Sequence, residues 1–234
     1  MQTLVIIGNG MAANRVLEEL DSDHQYDAIQ VIGDEHIPHY NRIMLSPLLA
    51  NETTLEAITP HDDAWYQERR IEVILGVGVK AVNAEVQQVE TNSGRSLPYS
   101  DLVFATGSRS FIPHVDGSDH PAVIGFRTMS DVDAMVEKFG TLKHATVIGA
   151  GLLGVEAAVG LKLRGVDVTL LHRNPGLMNR QLDATASSIL EASLAERGID
   201  VRTGTSPVRL PGNSDAIPQI EITSKRGEET LDTQ

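Results

Sequence analysis

Two strand-glycine-helix fingerprints limit what this chain can fold into more than anything else in its 234 residues: Gly8-Asn9-Gly10-Met11-Ala12-Ala13 after the apolar run 4–7, and Gly149-Ala150-Gly151-Leu152-Leu153-Gly154 after 145–148, their first glycines 141 positions apart. In a βαβ turn of this kind the first glycine makes the tight bend and the second lets the backbone approach a pyrophosphate. The third position must be small so that helix and strand can pack. That third position is Ala13 in one copy and Gly154 in the other. A pyrophosphate would rest on the free amides and positive dipole end of helices starting near Met11 and Leu152. Glycine pairs at strand-to-helix turns also occur in α/β folds that bind nothing there, so two copies with matching flanks weigh more than either alone. The expectation is a chain with two dinucleotide sites. Its simplest use is to move electrons from one dinucleotide to the other, as a flavin enzyme reduced by a nicotinamide does.

Composition narrows the class. With 41% apolar and 22% charged residues the chain is an ordinary globular protein. No apolar run approaches the ~18 residues of a membrane span, and the first strand is not preceded by a basic leader, so no membrane partner and a cytoplasmic location are expected. Cysteine is absent, which removes disulfides, thiolate metal sites and a redox-active cysteine pair. A net charge of −13 with scattered Lys and Arg argues against nucleic acid. His36, His39, His61, His114, His120 and His144 are not spaced as metal ligands, and no metal is assigned.

The pattern along the chain predicts a strand over 3–7, a helix over 11–20 and a strand over 28–32, followed by a loop over 36–46, a helix over 62–70 and a strand over 71–75. Residues 77–89 suggest paired strands, Asn92-Ser93-Gly94 a hairpin turn, and 101–105 a fully buried strand. Pro113, Gly117 and Pro121 punctuate a crossing segment, so a boundary is placed near residue 112: residues 1–112 form one nucleotide unit and 113–234 the other. A helix over 130–139 is expected to start at a capping Ser130. The architecture then repeats: a strand over 145–148, a helix over 152–163 stopped by Gly165, and a strand over 167–171. A helix over 184–197 closed by Gly198, a strand over 199–203 and strand-like stretches near Val208 and over 217–223 complete the pattern. The fold class is α/β, with two Rossmann-like three-layer units.

The positions after the second strand of each unit differ. Asp34 and Glu35 lie 21 and 22 residues after Ala13, where a carboxylate can accept hydrogen bonds from an adenosine ribose; a solvated acidic turn is the plainer alternative. The second unit reads Leu171-His172-Arg173-Asn174, with no carboxylate to repel a 2'-phosphate, so Arg173 permits NADPH without requiring it. His172 reads either as an adenosine contact or as a structural histidine.

Four stretches in order carry a resemblance: Tyr40-Asn41-Arg42 with Leu45-Ser46-Pro47, then Phe104-Ala105-Thr106-Gly107-Ser108-Arg109, then Gly149 to Glu156-Ala157-Ala158, and Leu177-Met178-Asn179-Arg180-Gln181-Leu182-Asp183. Over essentially its whole length the chain is similar to the glutathione-reductase-like FAD/NAD(P) superfamily. It most resembles the flavoprotein part of NAD(P)H nitrite reductase large subunits and also resembles rubredoxin and ferredoxin reductases. The resemblance implies FAD in the first unit and NAD(P)H in the second, with hydride passing from nicotinamide to flavin. It implies Arg42 near the flavin or its phosphates, Ala105-Thr106-Gly107 with Arg109 across the FAD, and Glu156 at the nicotinamide-flavin junction. The alternative for Glu156 is a first-turn carboxylate that only complements the helix dipole. The implied acceptor is a nitrite-reducing centre or a small redox protein. Iron-sulfur and sirohaem enter only if the full-length protein continues as a nitrite reductase, and a homodimer of that form stays open.

Two departures matter. Many ferredoxin-reductase relatives carry a Lys after the Leu-Ser pair where this chain has Pro47, which favours the nitrite-reductase-like branch. The family also completes its FAD domain with a later segment, so the chain reads as truncated and weak flavin retention is expected. The function expected is an FAD-dependent NAD(P)H oxidoreductase feeding nitrite reduction. The alternatives are a stand-alone rubredoxin or ferredoxin reductase and a non-catalytic nucleotide-binding redox module.

Overall fold

The computed structural model describes residues 2–20, 24–213 and 216–233. The chain divides into two compact units, residues 1–44 with 54–109 and residues 45–53 with 110–234.

In the first unit, β1 (Thr3–Ile7) pairs in parallel with β2 (Ala28–Ile32) on one side and β7 (Asp101–Phe104) on the other, and β3 (Ile71–Ile74) extends the sheet beyond β2. The register runs without a slip from Thr3 opposite Ala28 to Ile7 opposite Ile32. A strand alternates its side chains between two faces, so an uninterrupted apolar run is stable only when both faces are covered. Here they are. Leu4 and Ile6 pack with Ala13 and Leu17 of α1 (Met11–Glu19) and with Tyr66 of α4 (Asp63–Glu68), which starts at the side-chain cap Asp62. Val5 and Ile7 pack instead with Val89 and Leu97 of an antiparallel meander made of β4 (Val79–Asn83), β5 (Gln88–Thr91) and β6 (Ser96–Pro98). Helices, parallel sheet and meander thus form three layers.

The strand expected over 101–105 is present but is not buried. β7 is the edge of its sheet, Asp101 is exposed, and Phe104 keeps 66% of its surface. The apolar composition was read correctly as a strand, yet an edge position leaves one flank and part of both faces uncovered. The loop expected over 36–46 is also interrupted, by a short 3-10 turn at Arg42–Met44 and by α2 (Leu45–Leu49). A further one-turn helix, α3 (Leu55–Ile58), begins at Thr54, whose hydroxyl accepts the Ala57 N–H.

The second unit is built on a parallel sheet of β8 (His144–Ile148), β9 (Asp167–His172) and β10 (Ile199–Thr203), with β9 central. Crossovers α6 (Leu152–Leu163) and α7 (Ala184–Glu196) join them, and α7 starts at Asp183, whose carboxylate accepts the Ala186 N–H. The helix α5 (Met129–Val136) is capped by Thr128, not Ser130. Thr128 and Asp131 make reciprocal side-chain-to-backbone bonds, a capping box that an isolated serine inside the first turn cannot form. An antiparallel sheet of β11 (Thr205–Arg209), β12 (Gln219–Ser224) and β13 (Gly227–Asp232) completes the unit around Leu210, Ile220, Ile222 and Leu231. Sequence reading finds no strand over 227–232, because only Leu231 of its six residues is buried and there is no apolar alternation to detect.

The segment over 45–53 packs with the second unit although it interrupts the first in sequence. Its helix α2 lies along one stripe of α6 at a four-residue spacing. Ser46 Oγ donates to Glu156 Oε2 at 2.6 Å, Leu49 presses on Gly160 where a Cβ would come within 3.1 Å of its Cδ2, and Arg164 Nε donates to the Leu49 carbonyl at 2.7 Å. Leu49 is fully buried. Leu49→Ala should therefore cost about 2–5 kcal/mol of stability. In hydrogen exchange the protection should fall in α6 rather than in β1 or β2; loss confined to the first unit would refute this placement of α2.

Candidate functional site

Each unit ends its first strand in a glycine turn, and the two turns are fastened alike. The Gly8 N–H donates to the Ile32 carbonyl at 2.8 Å and the Gly149 N–H to the Leu171 carbonyl at 2.8 Å, so each turn is tied to the last or next-to-last residue of the neighbouring strand. Both residues have positive φ, +105° and +107°, a region costly for any residue with a Cβ. At Gly8 space forbids one as well, since a Cβ would lie 2.3 Å from the Ala105 carbonyl oxygen and 2.9 Å from the Thr106 Cα. The Ala105-Thr106-Gly107 segment therefore crosses directly over the first glycine turn, with Thr106, Gly107 and Arg109 exposed beyond it.

The second glycine of each turn faces open space. A Cβ on Gly10 or on Gly151 would meet no atom within 4 Å. These glycines are the N-caps of α1 and α6. Neither helix start has a side-chain hydrogen bond to its amides or an acidic residue in its first turn. Orphan amides, a positive dipole end and a vacant approach make an anion cradle. Met11, Ala12, Leu152 and Leu153 are exposed at the rims. The third position behaves as the packing argument demands. Ala13 is fully buried, and a Cβ on Gly154 would lie 1.8 Å from the Gly149 carbonyl oxygen. A pyrophosphate fits both turns on these grounds.

After β2 the two acidic residues separate. Asp34 is exposed, while Glu35 is partly buried and accepts from Arg42 Nη2 at 2.6 Å on one oxygen and from the Tyr40 hydroxyl at 2.8 Å on the other. The Arg42 guanidinium lies 5.3 Å from the Tyr40 ring centre. Glu35 thus organises the loop that carries Arg42. The sequence reading misses His39. It is 4% exposed and hydrogen-bonded to the Asn9 backbone inside the first glycine turn, and burial pushes its imidazole below the ordinary range. Only the fold could show this, since His39 stands 30 residues from Asn9.

In the second unit, His172 ends β9 with both ring nitrogens engaged. Its Nδ1 accepts the Ala150 N–H at 3.2 Å, so Nε2 carries the proton and donates to Asn179 Oδ1 at 3.2 Å. Asn174 Nδ2 donates to the same oxygen at 3.2 Å, and the Met178 N–H reaches the Ala150 carbonyl at 2.8 Å. Both ring nitrogens of His172 are thus engaged within the protein, and an adenosine contact would have to use its ring face. His172 braces the glycine turn against the loop over 177–182, where Met178 holds a φ of +46°. Arg173 is exposed at the end of this network.

Glu156 is the fifth residue of α6, on its second turn rather than its first. A dipole effect fades within one turn, so complementing the helix dipole is a weak account of it. Its partner is Ser46, a residue the sequence reading passed over. Nothing in the sequence marks the Ser46 hydroxyl as meeting a side chain 110 residues away. Among the described residues no group of histidine, aspartate and glutamate could hold a metal ion, and no helix is long and apolar enough to cross a membrane.

A family model described as pyridine nucleotide-disulphide oxidoreductase matches residues 2–233. An assimilatory nitrate reductase electron transfer subunit of Bacillus subtilis is 40% identical over 92% of this chain and 28% of its own length. An NAD(P)H nitrite reductase of the same organism is 43% identical over 84% of this chain and 24% of its own length. The chain thus spans about a quarter of these curated relatives. The crystal structure of a ferredoxin reductase from Rhodopseudomonas palustris superposes with a TM-score of 0.88 at 25% identity, covering 100% of this chain and 57% of that one.

The geometry separates folding from binding within one turn. Gly154→Ala should destabilise the second unit by about 1–3 kcal/mol, because its methyl has nowhere to go. Gly151→Ala should change stability by no more than about 0.5 kcal/mol yet abolish nucleotide binding, since its methyl would occupy the phosphate approach. Chemical denaturation and calorimetric titration of both variants test the pair. Equal binding by Gly151→Ala and the parent would remove the cradle assignment.

Proposed function

The chain belongs to the pyridine nucleotide-disulphide oxidoreductase family, and from that premise we propose that it is an electron-entry module: an FAD-dependent NAD(P)H oxidoreductase, feeding nitrite or nitrate reduction. The observation that carries this reading is the pair of open, uncapped glycine turns, one in each unit. FAD, held by the first turn, would supply an acceptor that takes two electrons as a hydride and can release them singly. NAD(P)H, held by the second turn, is the donor.

The chain's own residues divide the work. Amides of Met11 and Ala12 would face the FAD pyrophosphate beside Gly8, Gly10 and Ala13. Asp34 and Glu35 would meet the ribose, with Ala105, Thr106, Gly107 and Arg109 crossing the cofactor. Arg42, already ordered by Glu35, would lie near the flavin or its phosphates. Gly149, Gly151, Leu152, Leu153 and Gly154 would take the second pyrophosphate. Glu156, fixed by the Ser46 hydroxyl, would orient the nicotinamide end of the donor rather than exchange a proton.

Cysteine is absent, so no electrons leave through a dithiol on this chain, despite the family's disulphide name. Electrons would pass to an external carrier or to a nitrite-reducing iron-sulfur and sirohaem centre. The likeness to nitrate and nitrite reductase proteins favours the second route, and Pro47 agrees with it. The likeness to a ferredoxin reductase keeps a small redox protein as the alternative acceptor. A cytoplasmic location, where reduced nicotinamide is made, goes with this reading.

Anaerobic mixing of the flavin-loaded protein with reduced nicotinamide should bleach the flavin absorbance. Glu156→Ala should slow that bleaching by about tenfold to a hundredfold with little change in nucleotide affinity, and Ser46→Ala by a smaller factor that Ser46→Thr restores. A loaded protein that binds nucleotide and never bleaches would instead be a non-catalytic redox-sensing module.

A further inference from the structure

The first glycine turn holds a reactive pair that its use as a phosphate cradle leaves unexplained. Asn9-Gly10 is the one Asn-Gly pair in the sequence. An asparagine loses its side-chain amide when the main-chain nitrogen of the next residue attacks it. The attack needs a nitrogen whose N–H is not held by an acceptor, an amide that is not held either, and no Cβ crowding the new ring.

All three conditions meet at Asn9. Among the described residues neither the Gly10 N–H nor the Asn9 side-chain amide has a hydrogen-bond partner. A Cβ on Gly10 would meet nothing within 4 Å, so no protein atom crowds the attacking nitrogen. Both residues are partly exposed to water. The base of the Asn9 side chain lies against Gly33, where a Cβ would come within 2.9 Å of the Asn9 Cβ and 3.7 Å of its Nδ2. Packing thus holds the stem and leaves the amide to turn. Most other asparagines lack one condition. Asn41, Asn83 and Asn179 spend their side-chain oxygens on hydrogen bonds. The N–H after Asn51 donates to the Pro47 carbonyl, and Asn174 precedes Pro175, which has no N–H.

We propose that Asn9 is a deamidation site built into the first phosphate turn, and that a dinucleotide bound there protects it. The protection rests on the proposed function, since it arises only where the Gly10 amide faces a pyrophosphate. In the reaction the Gly10 nitrogen gives its proton to solvent and bonds to Asn9 Cγ. The Cγ–Nδ2 bond breaks, and the leaving nitrogen takes a proton and departs as ammonia. Water then opens the cyclic imide at either carbonyl, giving aspartate or isoaspartate, with no oxidant or reductant involved. The aspartate product sets a carboxylate one residue before the N-cap of α1. A negative charge there suits the helix dipole, so the fold keeps its stability, yet it repels a pyrophosphate that needs the same amides.

The test ages the full chain in warm, mildly alkaline buffer with and without excess FAD and follows each asparagine by peptide mass spectrometry. Asn9 should convert before Asn92, whose following residue Ser93 carries a Cβ, and FAD should slow Asn9 alone. Aged protein should bind FAD more weakly by roughly tenfold in calorimetric titration. Asn9→Asp should show that loss from the start with no drop in its denaturation midpoint. Asn9→Ser, which has no amide to lose, should keep through ageing the affinity it begins with. An Asn9 that stays an amide, or converts no sooner than Asn92, overturns the proposal and leaves the nucleotide site standing where fresh protein binds FAD. Conversion that bound FAD does not slow overturns the protection. Fresh protein that binds no FAD overturns the protection and the function beneath it together.

Discussion

The rest of this structure depends on one steric constraint, the close approach of backbone to backbone at each glycine turn with no side chain between them. A methyl on Gly154 would sit 1.8 Å from the Gly149 carbonyl, and one on Gly8 would sit 2.3 Å from the Ala105 carbonyl. Closeness of this order aims the first amides of α6 and α1 outward from the strand ends. It also leaves Gly10 and Gly151 bare on the outer side, where nothing lies within 4 Å. Packing and function are therefore opposite faces of the same turn. The inner glycines are needed because the protein fills the space, and the outer ones because it does not.

The two units solve the third position differently. Ala13 is accommodated with its methyl fully buried in one cluster with Leu4, Ile6 and Leu17. Gly154 leaves no room for a methyl. The bracing at the end of each second strand differs as well. Glu35 is held by Arg42 and Tyr40, whereas His172 is held by Ala150 and Asn179. In both cases a side chain at the strand end braces its own unit before any ligand arrives, and the charge left over has opposite sign.

The regular elements were legible because their signals are local. The βαβ start, the helix over 152–163 and its stop at Gly165 can be read from apolar runs, glycine pairs and spacing. What escaped the sequence reading depended on contacts that spacing does not encode. Phe104 lies in an apolar run yet is exposed, because the order of strands puts β7 at an edge. The β12–β13 hairpin has one buried residue on its outer strand and so no alternation to read. Thr128 outcompetes Ser130 because only it stands three residues before Asp131. At the site, the glycines were legible from spacing alone. Glu156 was picked out by resemblance, and its tie to Ser46 was not visible at all.

That tie shows how a residue can matter without a motif. Residues 45–53 fall within the sequence of the first unit but pack with the second, through Leu49 on Gly160 and Arg164 on the Leu49 carbonyl. A glycine at position 160 lets α2 come near enough for a side chain as short as serine to reach Glu156 at 2.6 Å. Relatives with lysine after the Leu-Ser pair place a cation in the same stretch, and this chain has proline there. A neutral hydroxyl orients a carboxylate without neutralising it. The contact with Ser46 therefore holds the carboxylate in one orientation, and it is the fold rather than a motif that supplies it.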